Sequence, residues 1–266
     1  MPGPTTITPA QLMRLIGTPD APVVLDLRLP EDLATDPCLI PGSRPVPHDT
    51  LMAQLSDLRD RRVVVFCQRG GKLSSGGAAL LRAQGIVAEL LEGGSVAWRA
   101  AGLPMMPLAA LPKTRRWVTR HRPKIDRIAC PWLIRRFIDA SAEFLFVPPS
   151  DVLAVAEKFD ATPFDVEGVH WSHRGDTCTF DTLIAECALQ TEALDRLALV
   201  VRAADTDRHD LSPQAAGLLA ILVGLSRQYR DDLAQLAAGM TIYDALYRWA
   251  RDGFDEGHDW PAGRAP

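Results

Sequence analysis

Four consecutive apolar positions, Val63-Val64-Val65-Phe66, end at Cys67 and give way to the polar, glycine-containing stretch Gln68-Arg69-Gly70-Gly71-Lys72. β-branched residues bounded by turn residues predict a buried strand. The small and apolar residues from Ser74 to Ala83 then predict a helix packed on the resulting sheet. Upstream, Thr8-Pro9-Ala10-Gln11 has the form of a capping box with proline at the first helical position, and the helix should end near Gly17. Val23 to Leu27 and Ile86 to Leu91 are two further short apolar runs. Ile40 to His48 is proline-punctuated and extended, Asp49 is placed to cap a helix to about Leu58, and a short helix carries Trp98. Strands alternating with helices predict a parallel α/β sheet, in which ligands sit at the carboxyl ends of the strands.

The pattern changes after Pro104. Prolines in the stretch Met105 to Pro112 predict a linker, and beyond it the spacing is mostly helical. Ile125 to Ile138 is one such segment. Phe144 to Val147 is a short strand, and Ser150 should cap a helix to about Phe159. Thr191 and Ser212-Pro213 open two more helices, and Thr241 opens the last, which stops before Gly253. The glycine- and proline-rich tail, Phe254 to Pro266, is expected to fray. The predicted organisation is therefore an α/β domain over residues 1–110, a parallel sheet flanked by helices. A mainly α-helical (α+β) domain follows over 111–266.

Composition adds three bounds. A formal net charge of -4 argues against a protein that coats nucleic acid over its whole surface. Five cysteines without regular spacing do not form a disulfide framework. The start lacks the basic and apolar regions of a secretory signal, and no run approaches the ~20 apolar residues that span a bilayer. A cytoplasmic protein with reduced thiols, and no membrane partner, is the expectation.

Cys67 is the leading candidate for chemistry. A loop wrapped around its sulfur would aim backbone N–H groups at it, and the following helix would add the positive end of its dipole. Both favour the nucleophilic thiolate. The plain alternative is a buried core cysteine. Leu25-Asp26-Leu27-Arg28, Ile40-Pro41-Gly42-Ser43, Val65-Phe66-Cys67, Gly70 and Glu92-Gly93-Gly94 with Ala97-Trp98, taken as an ordered set, resemble the rhodanese family. The resemblance implies a sulfurtransferase with no cofactor, in which Cys67 takes sulfane sulfur from a small anionic donor such as thiosulfate or a mercapto acid and passes it to a thiol acceptor or cyanide. It also implies that the backbone from Gln68 through Arg69, Gly70, Gly71, Lys72 and Leu73 to Ser74 forms the anion cradle. Arg69 and Lys72 are cations that would attract the donor, or ordinary exposed charges. Asp26 and Arg28 match positions beside the loop and would pair there. A phosphatase of this type would need arginine where Leu73 stands, to grip phosphate bidentately.

In the second half, Lys113, Arg115, Arg116, Arg120, Arg122 and Lys124 crowd around Trp117 and His121. Such a run binds nucleic acid or phosphate, pairs with acidic surface on the other domain, or recognises a small oxyanion; the chain's acidity makes nucleic acid the weakest of these. Asp126, Cys130, His173, Cys178 and Asp205 are candidate ligands for zinc or iron. The same residues also read as helix caps, core cysteines and an exposed histidine. Trp117-Val118-Thr119-Arg120, the run Pro123 to Ile134, Phe164-Asp165, His173-Arg174-Gly175, Cys178-Thr179-Phe180 and Ala204-Asp205-Thr206-Asp207 resemble the ChrB-like chromate-resistance family. That resemblance implies a role in chromate resistance, with chromate or another oxyanion as a ligand. It also leaves open a chromate-responsive regulator acting on DNA or a protein partner.

Overall fold

The computed structural model describes residues 5–257. The start at Met1 to Pro4 and the tail from His258 onward, for which fraying is expected, lie outside the described residues. In chain order the first half comprises β1 (Thr6–Ile7), α1 (Pro9–Leu15), β2 (Val23–Asp26), α2 (Pro30–Thr35), β3 (Cys38–Leu39), β4 (Ser43–Pro45), α3 (Leu55–Leu58), β5 (Arg62–Phe66), α4 (Lys72–Ala83), β6 (Val87–Leu91), α5 (Gly94–Ala100) and β7 (Met106–Pro107). The second half comprises β8 (Arg116–Arg120), α6 (Asp126–Leu133), β9 (Glu143–Val147), α7 (Val152–Lys158), β10 (Thr162–Pro163), α8 (Thr179–Glu186), α9 (Glu192–Asp205), α10 (Ala215–Gln228) and α11 (Asp232–Asp252).

The main sheet runs β1-β6-β5-β2-β4, with every neighbouring pair parallel. Alternation along β5 decides which face meets which layer. Val63 and Val65 point into a cluster with Ala78 and Leu81 of α4, whereas Val64 and Phe66 point into a larger one. That larger cluster joins Leu12 and Ile16 to Trp98 and continues into Trp132, Phe137 and Tyr247 of the second half. The two halves therefore share one apolar core. Gly17 sits at their contact at φ +82°, and an added Cβ would come within 2.3 Å of the Phe137 ring.

The second half places helices against a three-stranded parallel sheet, β10-β8-β9. The mixed α/β then mainly helical plan is as expected; several local details differ. Met105 to Pro112 is no free linker: β7 pairs antiparallel with β3, Leu39 opposite Met106. Asp49 caps nothing, because a 3₁₀ helix already begins at His48. Ser150 bonds its neighbour Asp151 instead of capping α7. The final helix starts at Asp232 rather than Thr241, with Asp231 accepting from the Ala234 N–H at 2.7 Å. Among the described residues no helix is long and apolar enough to cross a membrane.

Candidate functional site

β5 ends at Phe66, so Cys67 is the first residue of the loop at the carboxyl edge of the central strand. Gly70 turns the loop at φ +66°. Its carbonyls are drawn off by α5: the Ser95 N–H donates to Cys67 O at 3.1 Å and the Val96 N–H to Gln68 O at 3.0 Å. With those carbonyls engaged, amide hydrogens are left to face the sulfur. The Gly71 N–H donates to Cys67 Sγ at 3.3 Å, and the buried Ser74 hydroxyl lies 3.1 Å from the same atom. Ser74 lies in the first turn of α4, whose N-cap is Gly71, so the sulfur sits at a helix N-terminus.

Burial pushes the Cys67 thiol up, but the Ser74 hydroxyl and the amides of Ser74, Gly71 and Arg69 together outweigh it, and the net direction is down from the ordinary thiol range. A group that stabilises the anion lowers the pKa, so its loss must raise it. Ser74→Ala should therefore move the midpoint of iodoacetamide alkylation of Cys67 to higher pH. An unchanged midpoint would remove Ser74 from the account.

Close approach of backbone requires Gly94. At φ +60°, an added Cβ would lie 2.0 Å from Cys67 O and 2.6 Å from Gly70 N. Gly94→Ala should cost roughly 2–3 kcal/mol of stability, read from urea unfolding, and distort the loop. A stability loss below about 0.5 kcal/mol would show that the loop yields freely.

Around this centre, Gln68, Gly70 and Leu73 are partly buried, and Arg69, Gly71 and Lys72 are exposed. Arg69 and Lys72 make no salt bridge among the described residues. Asp26 and Arg28 form a buried ion pair, with Arg28 Nη2 2.6 Å from Asp26 Oδ2. Arg28 further donates to Asp36 O at 3.1 Å and Cys38 O at 2.7 Å. Asp26 is in register with Phe66, directly before Cys67.

A second polar centre lies in the other half. Asp126 opens α6, Asp205 closes α9, and His173 comes from the segment before α8. His173 Nε2 lies 3.4 Å from Asp126 Oδ2, 3.4 Å from Asp165 Oδ1 and 3.2 Å from Asp205 Oδ2. The carboxylate of Asp126 accepts from the N–H groups of Thr179 and Phe180 at 2.6 and 3.2 Å, at the N-terminus of α8. Arg120 and Arg127 pair with Asp165 at 3.0 and 3.2 Å. Burial, with Asp205 and Asp165 nearby, raises Asp126 to about 6, while the three carboxylates push His173 up to about 12.

Three of the five expected ligands, Asp126, His173 and Asp205, come together. Cys130 and Cys178 stand outside the donor group. Both are fully buried, and the thiol of Cys178, the N-cap residue of α8, donates to Asp181 at 3.2 Å. Burial raises both thiols well above their ordinary range, which disfavours the thiolate a metal needs. Asp165 was not among the expected site residues; its only local signal is its place in the Phe164-Asp165 pair. Nor was the Ser74 side chain. The basic run is largely consumed locally: Arg115 and Arg116 pair with Glu143, and Arg122 donates to the carbonyls of Ser226 and Tyr229.

Comparison with known proteins matches residues 8–101 to the rhodanese-like domain model and residues 117–250 to the model of the ChrB C-terminal domain. Protein ChrB of Cupriavidus metallidurans is 36% identical over 134 residues, which cover 50% of this chain and 40% of that protein. The chain thus spans less than half the length of that relative. A sulfurtransferase of Allochromatium vinosum is 34% identical over 95 residues, covering 35% of this chain and 85% of that protein. Among solved structures, a rhodanese-related protein from Thermoplasma volcanium is 28% identical, covering 38% of this chain and 96% of that one, with a TM-score of 0.33.

Proposed function

The chain belongs to the ChrB C-terminal-domain family and, through its first half, to the rhodanese-like sulfurtransferases, and on that footing we propose that it transfers sulfane sulfur through a persulfide on Cys67. The observation that carries the reading is the sulfur's setting: a thiol depressed below its ordinary range, at a strand end, with a hydroxyl and an amide hydrogen within 3.3 Å. The Cys67 thiolate attacks the outer sulfur of thiosulfate. The donor's S–S bond breaks, sulfite departs with the bonding pair, and Cys67 carries the terminal sulfur as a persulfide anion. A thiolate or cyanide acceptor then attacks that terminal sulfur, and the Cys67 thiolate is restored with its electron pair. The loop amides that hold the thiolate suit the persulfide anion equally.

Arg69 and Lys72, exposed beside the loop, draw in the anionic donor, whether thiosulfate or a mercapto acid. Leu73 leaves no bidentate grip for phosphate. All five cysteines are free, which fits a reducing cytoplasm. The match of the second half to ChrB supports a place for this activity in chromate resistance. Because chromate oxidises thiols, a supply of persulfide sulfur serves the repair of thiol groups under that stress. Thiosulfate:cyanide assays of the purified chain should give ping-pong kinetics, parallel lines in double-reciprocal plots, as a persulfide intermediate requires. Absence of transfer from both thiosulfate and 3-mercaptopyruvate would overturn the reading.

A further inference from the structure

We infer that Asp126, His173 and Asp205 form a binding site for one divalent first-row transition-metal ion. One donor atom from each residue lies within 4.8 Å of the others, although the three come from α6, the segment before α8, and the end of α9. A four-coordinate ion with bonds of about 2.0–2.1 Å holds its ligands ~3.3 Å apart along the tetrahedral edges. The separations from His173 Nε2 to Asp126 and Asp205, 3.4 and 3.2 Å, match that edge.

Hydrogen bonding alone accounts poorly for the arrangement. Nε2 carries at most one hydrogen, yet three carboxylate oxygens surround it at 3.2–3.4 Å. A charge-assisted N–H···O bond draws in to about 2.7–2.9 Å. None of the three has closed to that length, and one hydrogen can point at only one of them. An ion at the focus serves the ligands together.

Charge points the same way. Among the described residues neither Asp126 nor Asp205 has an arginine or lysine partner, and the Asp126 side chain is 1% exposed. Asp165 is already matched by Arg120, Arg127 and the Thr179 hydroxyl. It stands behind the site as an outer partner. The Thr179 and Phe180 N–H groups fix the Asp126 carboxylate, as outer contacts do at metal centres. A cleft of about 340 Å³ is lined by His173, Asp165 and Arg120, so the His173 edge of the cluster faces solvent. Two carboxylate oxygens and one imidazole suit zinc(II), iron(II) or manganese(II), not a soft thiophilic ion.

The test is calorimetric titration of the full chain, stripped with a chelator and dialysed, using zinc(II) and separately manganese(II). Elemental analysis would count the bound metal. Wild type and Cys130→Ser should each bind one equivalent of at least one of these metals. Asp205→Asn and His173→Ala, both at partly exposed positions and checked for folding by circular dichroism, should bind it more than ~100-fold more weakly. Failure of the wild type to bind either metal stoichiometrically would overturn the proposal. So would unchanged affinity in both variants. Neither outcome bears on sulfur transfer by Cys67.

Discussion

Cys67→Ser should reduce thiosulfate:cyanide transfer by about 10³-fold or more, to the background of the uncatalysed reaction. The replacement hydroxyl occupies nearly the same volume and faces the same Ser74 hydroxyl and Gly71 amide. What it lacks is accessible anionic character. Surroundings that draw a thiol below its ordinary range leave an alcohol protonated, and oxygen forms no bond from which sulfur is readily passed on. The fold should barely respond, with unfolding free energy within about 1 kcal/mol of wild type. This separation matters, because a large stability loss would make the activity loss uninformative. Activity retained in both Cys67→Ser and Cys67→Ala would mean that another group carries the sulfur.

Arg28→Met should destabilise the protein by about 3–5 kcal/mol, the range for removing one partner of a buried ion pair. Both side chains of the Asp26–Arg28 pair are 1% exposed. Methionine would leave the Asp26 carboxylate in an apolar setting without its cation. It would also abandon the carbonyls of Asp36 and Cys38, which Arg28 holds. Those carbonyls flank β3, the strand that β7 joins on the way to the second half. The Asp26→Leu/Arg28→Met double variant should recover most of the loss, since the charge left unpaired is what costs the energy. Urea unfolding measures both. A single-variant loss below about 1 kcal/mol would mean that water reaches Asp26 and that the pair behaves as a solvated one.

The sequence made some of this molecule plain and hid the rest for physical reasons. The Thr8 capping box is local chemistry, and it formed as written, with Gln11 N–H donating to Thr8 Oγ1 at 3.2 Å. The Cys67 loop was equally readable, because strand, glycine turn and helix start adjoin in the chain. Met105 to Pro112 read as a linker because its strand partner, Cys38–Leu39, lies far upstream. The helix start at Asp231, an aspartate N-cap ahead of the Ala-rich run from Leu233 to Gly239, was legible in the sequence, but Thr241 competes with it as a second cap-type residue further along the same helix. For the basic run, ligand binding and pairing with acidic surface on the other domain were the alternatives, yet its arginines meet Glu143 and Asp165 of their own half across the sheet.

The cluster around His173 gives the same lesson. Choosing ligands by residue type favoured Cys130 and Cys178, but side-chain direction and burial decide which donors converge. Asp165 enters only because the turn after β10, at φ +52°, brings it beside Thr179 and Arg120. No spacing rule along the chain encodes that meeting.

The most direct test of the central claim is the mass of the protein after brief exposure to thiosulfate, with the modified peptide located by proteolysis. One added sulfur atom is expected, confined to the peptide containing Cys67 and discharged on addition of cyanide. No added sulfur, or sulfur on Cys38, Cys130, Cys178 or Cys187 in place of Cys67, would contradict it.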